Sequence, residues 1–146
     1  MNVWAVVMLV FGGLFAGAVV NFAWSRVPIW RAMPRAQFLT DFAKSITVAD
    51  KVQPALLAVT IVAAVGFAFT TESTARILAL SAAVGFAVTM LASLAVLVPL
   101  QRRIIALGAE SESVDTMQLT WFRGHIGRSV VSTISLVLAA AAVTLA

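Results

Sequence analysis

Long apolar stretches dominate the chain, and short polar segments interrupt them at only three places. A bilayer core about 30 Å thick needs about 20 helical residues at 1.5 Å each. Four stretches fit that length: about 3–24, 54–70, 77–100 and 125–146. The first and third are free of charge. The second is short unless the preceding helix adds to it, and the fourth contains Arg128 near its start. The pattern predicts an all-α fold, a four-helix transmembrane bundle forming a single domain over 1–146.

The connectors refine this picture. In Ser25–Gln53, Pro28 and Pro34 punctuate the first half. Beyond them Phe38, Phe42, Ile46 and Ala49 recur at helical spacing, with Asp41, Lys44 and Lys51 on another face. That is an amphipathic cytoplasmic helix between spans one and two, lying along the interface or continuing into span two. Pro54 would kink the junction or start a new helix. Residues 70–76 form a short polar hairpin loop. In Gln101–His125 a middle with Gly108, Glu110, Glu112 and Asp115 reads as loop, and its end reads as the start of helix four.

Composition supports the membrane assignment. A soluble domain has about 45–50% apolar and about 25% charged residues. This chain has 62% and 11%, with a mean hydropathy of +1.03. So few charges cannot cover a water-facing surface, and the bilayer is the expected solvent and partner. The net charge of +4 arises from basic residues flanking the apolar runs rather than from a stripe interleaved with aromatics, so nucleic acid is not a partner. Arg26, Arg31, Arg35, Lys44 and Lys51 lie in the first connector, and Arg102, Arg103 and Arg123 in the third, against Arg76 alone in the second. The positive-inside rule then puts both termini outside a plasma membrane of bacterial type, with Trp24, Trp30 and Trp121 as an aromatic belt on the cytoplasmic side. Ala16-Gly17-Ala18 looks like a cleavable site, but the run lacks a positive n-region and is too long for a signal peptide, so it is read as a retained span.

Candidate chemistry is sparse. With no cysteine there are no disulfides, thiolate metal sites or thiol nucleophiles. One histidine cannot build a two-histidine metal triad or bis-histidine haem ligation, so no metal site is expected. Gly13 and Gly17 form a GxxxG pair that suits close helix packing, within the chain or against a second copy. Asn21, one turn inside the first span, is either a structural amide or a ligand-facing one. Trp121, His125, Arg128 and Ser132 are spaced to share one face of helix four. Ionisable groups at that depth are functional candidates, and the alternative is an arginine snorkelling to headgroups. Arg102 and Arg103 close span three at the same membrane face, where Asp41 or Asp50 could pair with them.

The order of these features resembles the anthrone oxygenase-like family of small four-helix membrane proteins. The resemblance rests on Gly12-Gly13-Leu14-Phe15-Ala16-Gly17, Val52-Gln53-Pro54, Pro99-Leu100-Gln101-Arg102-Arg103 and Trp121-Phe122-Arg123-Gly124-His125-Ile126-Gly127-Arg128. The W-x-x-x-H-x-x-R element is its specific part. Thr120 and Gln101 stand where the family often has arginine and asparagine. The resemblance implies cofactor-free oxidation of a hydrophobic polycyclic phenol or anthrone to a quinone. It makes His125 the general base and Arg128 the anion stabiliser, and it gives Trp121, Asn21, Ser132 and Arg103 to the substrate. Two other classes stay open. One is a non-catalytic accessory subunit of a larger membrane complex, and the other is a small carrier of lipid or another hydrophobic molecule, with a homo-oligomer possible in each.

The charge asymmetry generates a test of orientation. A Ser45→Cys variant should resist an impermeant thiol reagent applied to intact cells and react after permeabilisation. Labelling from outside would mean the opposite orientation.

Overall fold

A computed structural model describes residues 2–146, and nearly all of them are helical. Four helices are long and apolar enough to cross a membrane: α1 (Val3–Ala32), α2 (Arg35–Phe69), α3 (Ser73–Leu107) and α4 (Ser113–Thr144). No strand occurs among the described residues. Each helix packs along its neighbours, with α1 against α2 and α4, and α3 against α2 and α4.

The helices are longer than their apolar cores. The amphipathic stretch is continuous with span two, and Pro54 lies inside α2. The first span runs on to Ala32, and helix four begins at Ser113. What reads as loop from composition contracts to residues 108–112. Gly108 ends α3 at φ +70°, ψ −178°, a backbone region essentially limited to glycine. The polar extensions lie beyond the apolar windows and pack on one another, which is why composition alone places the helix ends too far inward.

Two helices contain a single wide turn, Phe22–Arg26 in α1 and Ser93–Leu97 in α3, where the bond runs from N–H to the carbonyl five residues back. Each precedes a proline, Pro28 or Pro99. A helical proline clashes with the carbonyl four residues earlier and gives it no donor. Those carbonyls belong to Trp24 and Ala95, inside the wide turns. Widening the turn relieves the clash, and such π-bulges often mark functional sites.

The interior changes character along its length. The end holding the α2–α3 loop is packed with small residues, Ala5, Ala63, Ala64, Ala79, Ala82 and Ala139 among them, so the backbones lie close. Asn2 closes this end: its Oδ1 accepts the Trp4 N–H at 3.0 Å and its amide donates to Thr70 Oγ1 at 2.6 Å. The middle holds Phe15, Val19, Leu57 and Phe86. The opposite end is aromatic, built on Trp30, Phe38, Phe42, Trp121 and Phe122. Trp30 and Trp121 are therefore core residues, and of the expected belt only Trp24 faces outward. The Trp30 indole donates to Asp41 Oδ2 at 2.6 Å, which meets the polar need of a buried tryptophan without water.

Of the two expectations for Gly13 and Gly17, packing within the chain is not met. A Cβ at Gly13 or Gly17 would meet nothing within 4 Å, so neither faces another helix of the chain. Within α1 the packing glycine is Gly12, where a Cβ would lie 3.1 Å from Thr60 Cγ2 and 3.4 Å from Phe86 Cζ. Gly12→Leu should therefore cost about 1–3 kcal/mol by overpacking. Gly13→Leu should melt within error of wild type in monomeric detergent solution. Equal melting of the two variants would show that α1 and α2 do not approach closely at Gly12.

Candidate functional site

The helix-four constellation forms a buried cluster at the boundary between the middle and aromatic layers. His125 is completely buried. Its Nε2 lies 3.0 Å from the Val19 carbonyl oxygen of α1, which can only accept, so the ring proton resides on Nε2. Nδ1 is then the acceptor, and Arg128 Nε donates to it at 3.1 Å. The ring stacks on Trp121 at a centroid distance of 4.9 Å and 14° between planes. Both nitrogens and one face are thus occupied, and the imidazole has no open lone pair.

Arg128 is half-buried, and its remaining bonds go to two other helices. Nη1 donates to Ser93 Oγ of α3 at 3.2 Å, and Nη2 donates to Gln53 Oε1 of α2 at 3.2 Å. Ser93 belongs to the wide turn before Pro99, and its hydroxyl donates in turn to Thr89 O at 2.7 Å. All three partners of the guanidinium are neutral. Among the described residues no carboxylate lies within 4 Å of it. Three of its five N–H groups are used, leaving one on each terminal nitrogen.

Arg128 lines a small cleft open to the surface, with an interior volume of about 30 Å³. Asp50, Gln53, Ser93 and Arg128 supply its polar wall, with Phe15, Leu57, Met90 and Leu94 on the apolar side. Pro54 also lines it, and the missing proline N–H frees the Asp50 carbonyl of its helical donor at this point. A second, shallow apolar groove on the outer surface, along Val88, Ala92, Leu97, Gly124 and Gly127, reaches Arg128 from the other side.

The other residues selected from sequence take separate positions. Trp121 is buried between His125 and the aromatic layer, with its edge contact to Phe42 at 4.9 Å and its indole N–H lacking an acceptor. Ser132 is buried and donates back to the Arg128 carbonyl at 2.6 Å, outside the cleft. Ser129 does the bridging instead, donating to both Val19 O and His125 O. Asn21 and Arg103 are exposed and lie outside the cleft. Neither Arg102 nor Arg103 pairs with an acid: Asp41 holds Arg26 and Trp30, and Asp50 accepts from Gln101. Gln53 and Ser93 are not singled out by the sequence as site residues. Their one signal is polarity inside or beside apolar runs, which many structural residues share.

The site is thus an arginine held by neutral side chains beside a largely apolar cleft, inside an all-helical protein with four membrane-length helices. The sequence model of the anthrone oxygenase family matches residues 42–138, well over half of the chain and all of the cluster except Val19. The chain belongs to the anthrone oxygenase family. No curated protein and no solved structure matches it significantly.

The cluster also sets a stability expectation. Gln53→Leu would leave a half-buried guanidinium N–H without its acceptor and should cost about 1–3 kcal/mol. Arg103→Leu, on the exposed surface, should stay within about 0.5 kcal/mol. Unfolding curves in mild detergent compare the two, and an unchanged Gln53→Leu midpoint would contradict the hydrogen bond.

Proposed function

We propose that the protein is a membrane-embedded oxygenase that converts a hydrophobic anthrone or related polycyclic phenol to its quinone, using O₂ and no bound cofactor. Family membership supports the reaction class. The observation that carries the finer reading is the Arg128 guanidinium, fixed by three neutral acceptors with two N–H groups unused, on a residue that lines a largely apolar cleft. Arg35, by contrast, is matched by Asp115 at 2.7 Å. Asp50 shares the cleft, but no carboxylate pairs directly with the Arg128 guanidinium, which keeps two N–H groups to offer an anion.

The chemistry follows from that charge. Loss of a proton from the ring methylene of an anthrone leaves a carbanion delocalised onto the carbonyl oxygen. Preorganised donors at that oxygen stabilise the anion. The anion gives one electron to O₂, and the resulting radical and superoxide combine at the ring carbon as a hydroperoxide. Loss of water yields the quinone, so one anthrone and one O₂ give one quinone and one water. In this scheme Arg128 is catalytic and His125 is a positioning residue, because its lone pair is already committed to the Arg128 Nε–H. The cleft must widen to admit a flat apolar substrate from the bilayer, and Met90, with its flexible thioether, can yield there.

Quinone formation by the purified protein in micelles, followed by absorbance under air, tests this reading. Arg128→Lys should lose about 10²–10³-fold in kcat, since lysine cannot present the planar fork. His125→Ala should lose less, because Gln53 and Ser93 still hold the cation. A wild type inert toward every anthrone and hydroquinone tried would refute the oxygenase assignment and favour a non-catalytic subunit.

A further inference from the structure

We propose that Asp50 is the catalytic base of this cleft, the group that takes the proton from the substrate. The inference rests on the reading that Arg128 receives the substrate's oxygen. Any such reaction needs a proton acceptor facing the same space. His125 does not supply one, since it is fully buried, carries its proton on Nε2 and gives its Nδ1 lone pair to Arg128.

Asp50 meets the requirements on four counts. It lines the cleft together with Arg128. It stands three residues before Gln53 on α2, so the face that holds the cation also presents the carboxylate. Gln101, buried on α3, donates its amide to Asp50 Oδ2 at 2.5 Å, which fixes the carboxylate and leaves Oδ1 without a hydrogen bond. Among the described residues no cation lies within 4 Å of it, so neither oxygen is tied up by an ion pair. Its outer side is exposed, which gives the proton a way out to water after each turnover. Gln101 is the positioning residue in this arrangement.

The step itself balances without an oxidant. Oδ1 takes the proton from the substrate's acidic C–H or O–H. The electron pair of that bond passes into the ring system and places negative charge on the oxygen beside Arg128. The protonated carboxyl then releases its proton to water at the mouth. A carboxylate serves as base toward a weak carbon acid when the developing oxyanion is stabilised in the same step. Oxygen acts only afterwards, as co-substrate.

Proton transfer can be read apart from oxidation. The probe is anthrone in D₂O under argon, with full-length protein in micelles, following exchange of the ring methylene protons by NMR. Wild type should accelerate exchange over protein-free micelles. Asp50→Asn should lower that acceleration by about 10²–10⁴-fold with an unchanged melting temperature. Asp50→Glu, which restores a carboxylate one methylene away, should recover a measurable share. Exchange by Asp50→Asn at the wild-type rate would overturn the proposal, as would a wild type no faster than empty micelles. If exchange depends on Asp50 but air yields no quinone, the base assignment stands and the oxygenase reading falls. If Asp50→Asn makes quinone at the full rate in air, the oxygenase reading stands and Asp50 is not the base.

Discussion

Holding a half-buried guanidinium without a directly paired carboxylate is the constraint on which this architecture turns. Removing a charge from water costs several kcal/mol even after the surroundings relax. An adjacent carboxylate would lower that cost but would also consume the charge. Here three neutral acceptors stand in for water. They are a glutamine from α2, a serine from α3 and a histidine from α4, the last oriented by a carbonyl of α1. No two of these groups are near in sequence except His125 and Arg128. The cation is solvated by the bundle itself, and all four helices must be in register for it to be so.

The backbone irregularities gather around this point. The wide turn of α1 begins three residues after Val19, and that of α3 begins at Ser93. Pro54 interrupts the α2 ladder next to Gln53. In a bilayer, a freed carbonyl must find a partner within the protein. The Val19 carbonyl accepts from the Phe22 N–H, His125 and Ser129 together, and the Thr89 carbonyl takes the Ser93 hydroxyl. The alanine-packed end is regular by comparison. Departures from ideal helix occur where side chains from several helices converge on a polar group.

Two other arginines are instead matched directly by carboxylates. Arg35 grips Asp115 through two nitrogens and the Ala109 carbonyl through a third, tying the start of α2 to the start of α4. Arg26 pairs with Asp41, which also takes the Trp30 indole proton. These pairs close the aromatic end and fix the loops over it. Beneath them, rings meeting edge-on contribute about 0.5–1.5 kcal/mol each beyond the area they bury. Trp121 stiffens the site by lying flat against His125, which leaves the apolar side of the cleft to Phe15, Leu57, Met90 and Leu94.

The number of helices and their apolar centres were legible in the sequence, which left open whether the amphipathic segment lies along the interface or continues into span two. That number and those centres depend on the length and period of hydrophobic runs, which are local properties. The face shared by Trp121, His125 and Arg128 was legible for the same reason, since helical spacing fixes it. Their roles were not. Whether His125 has a lone pair to offer depends on Val19, 106 residues away, and on the Arg128 side chain beside it. That Gly12 rather than Gly13 or Gly17 packs between helices depends on the rotation of α1 about its axis. Gln53, Ser93 and Asp50 gain meaning only when α2 and α3 bring them to one cleft. Periodicity specifies which residues share a face, whereas the rotation and distance between helices decide what that face meets, and those are set by packing across the whole bundle.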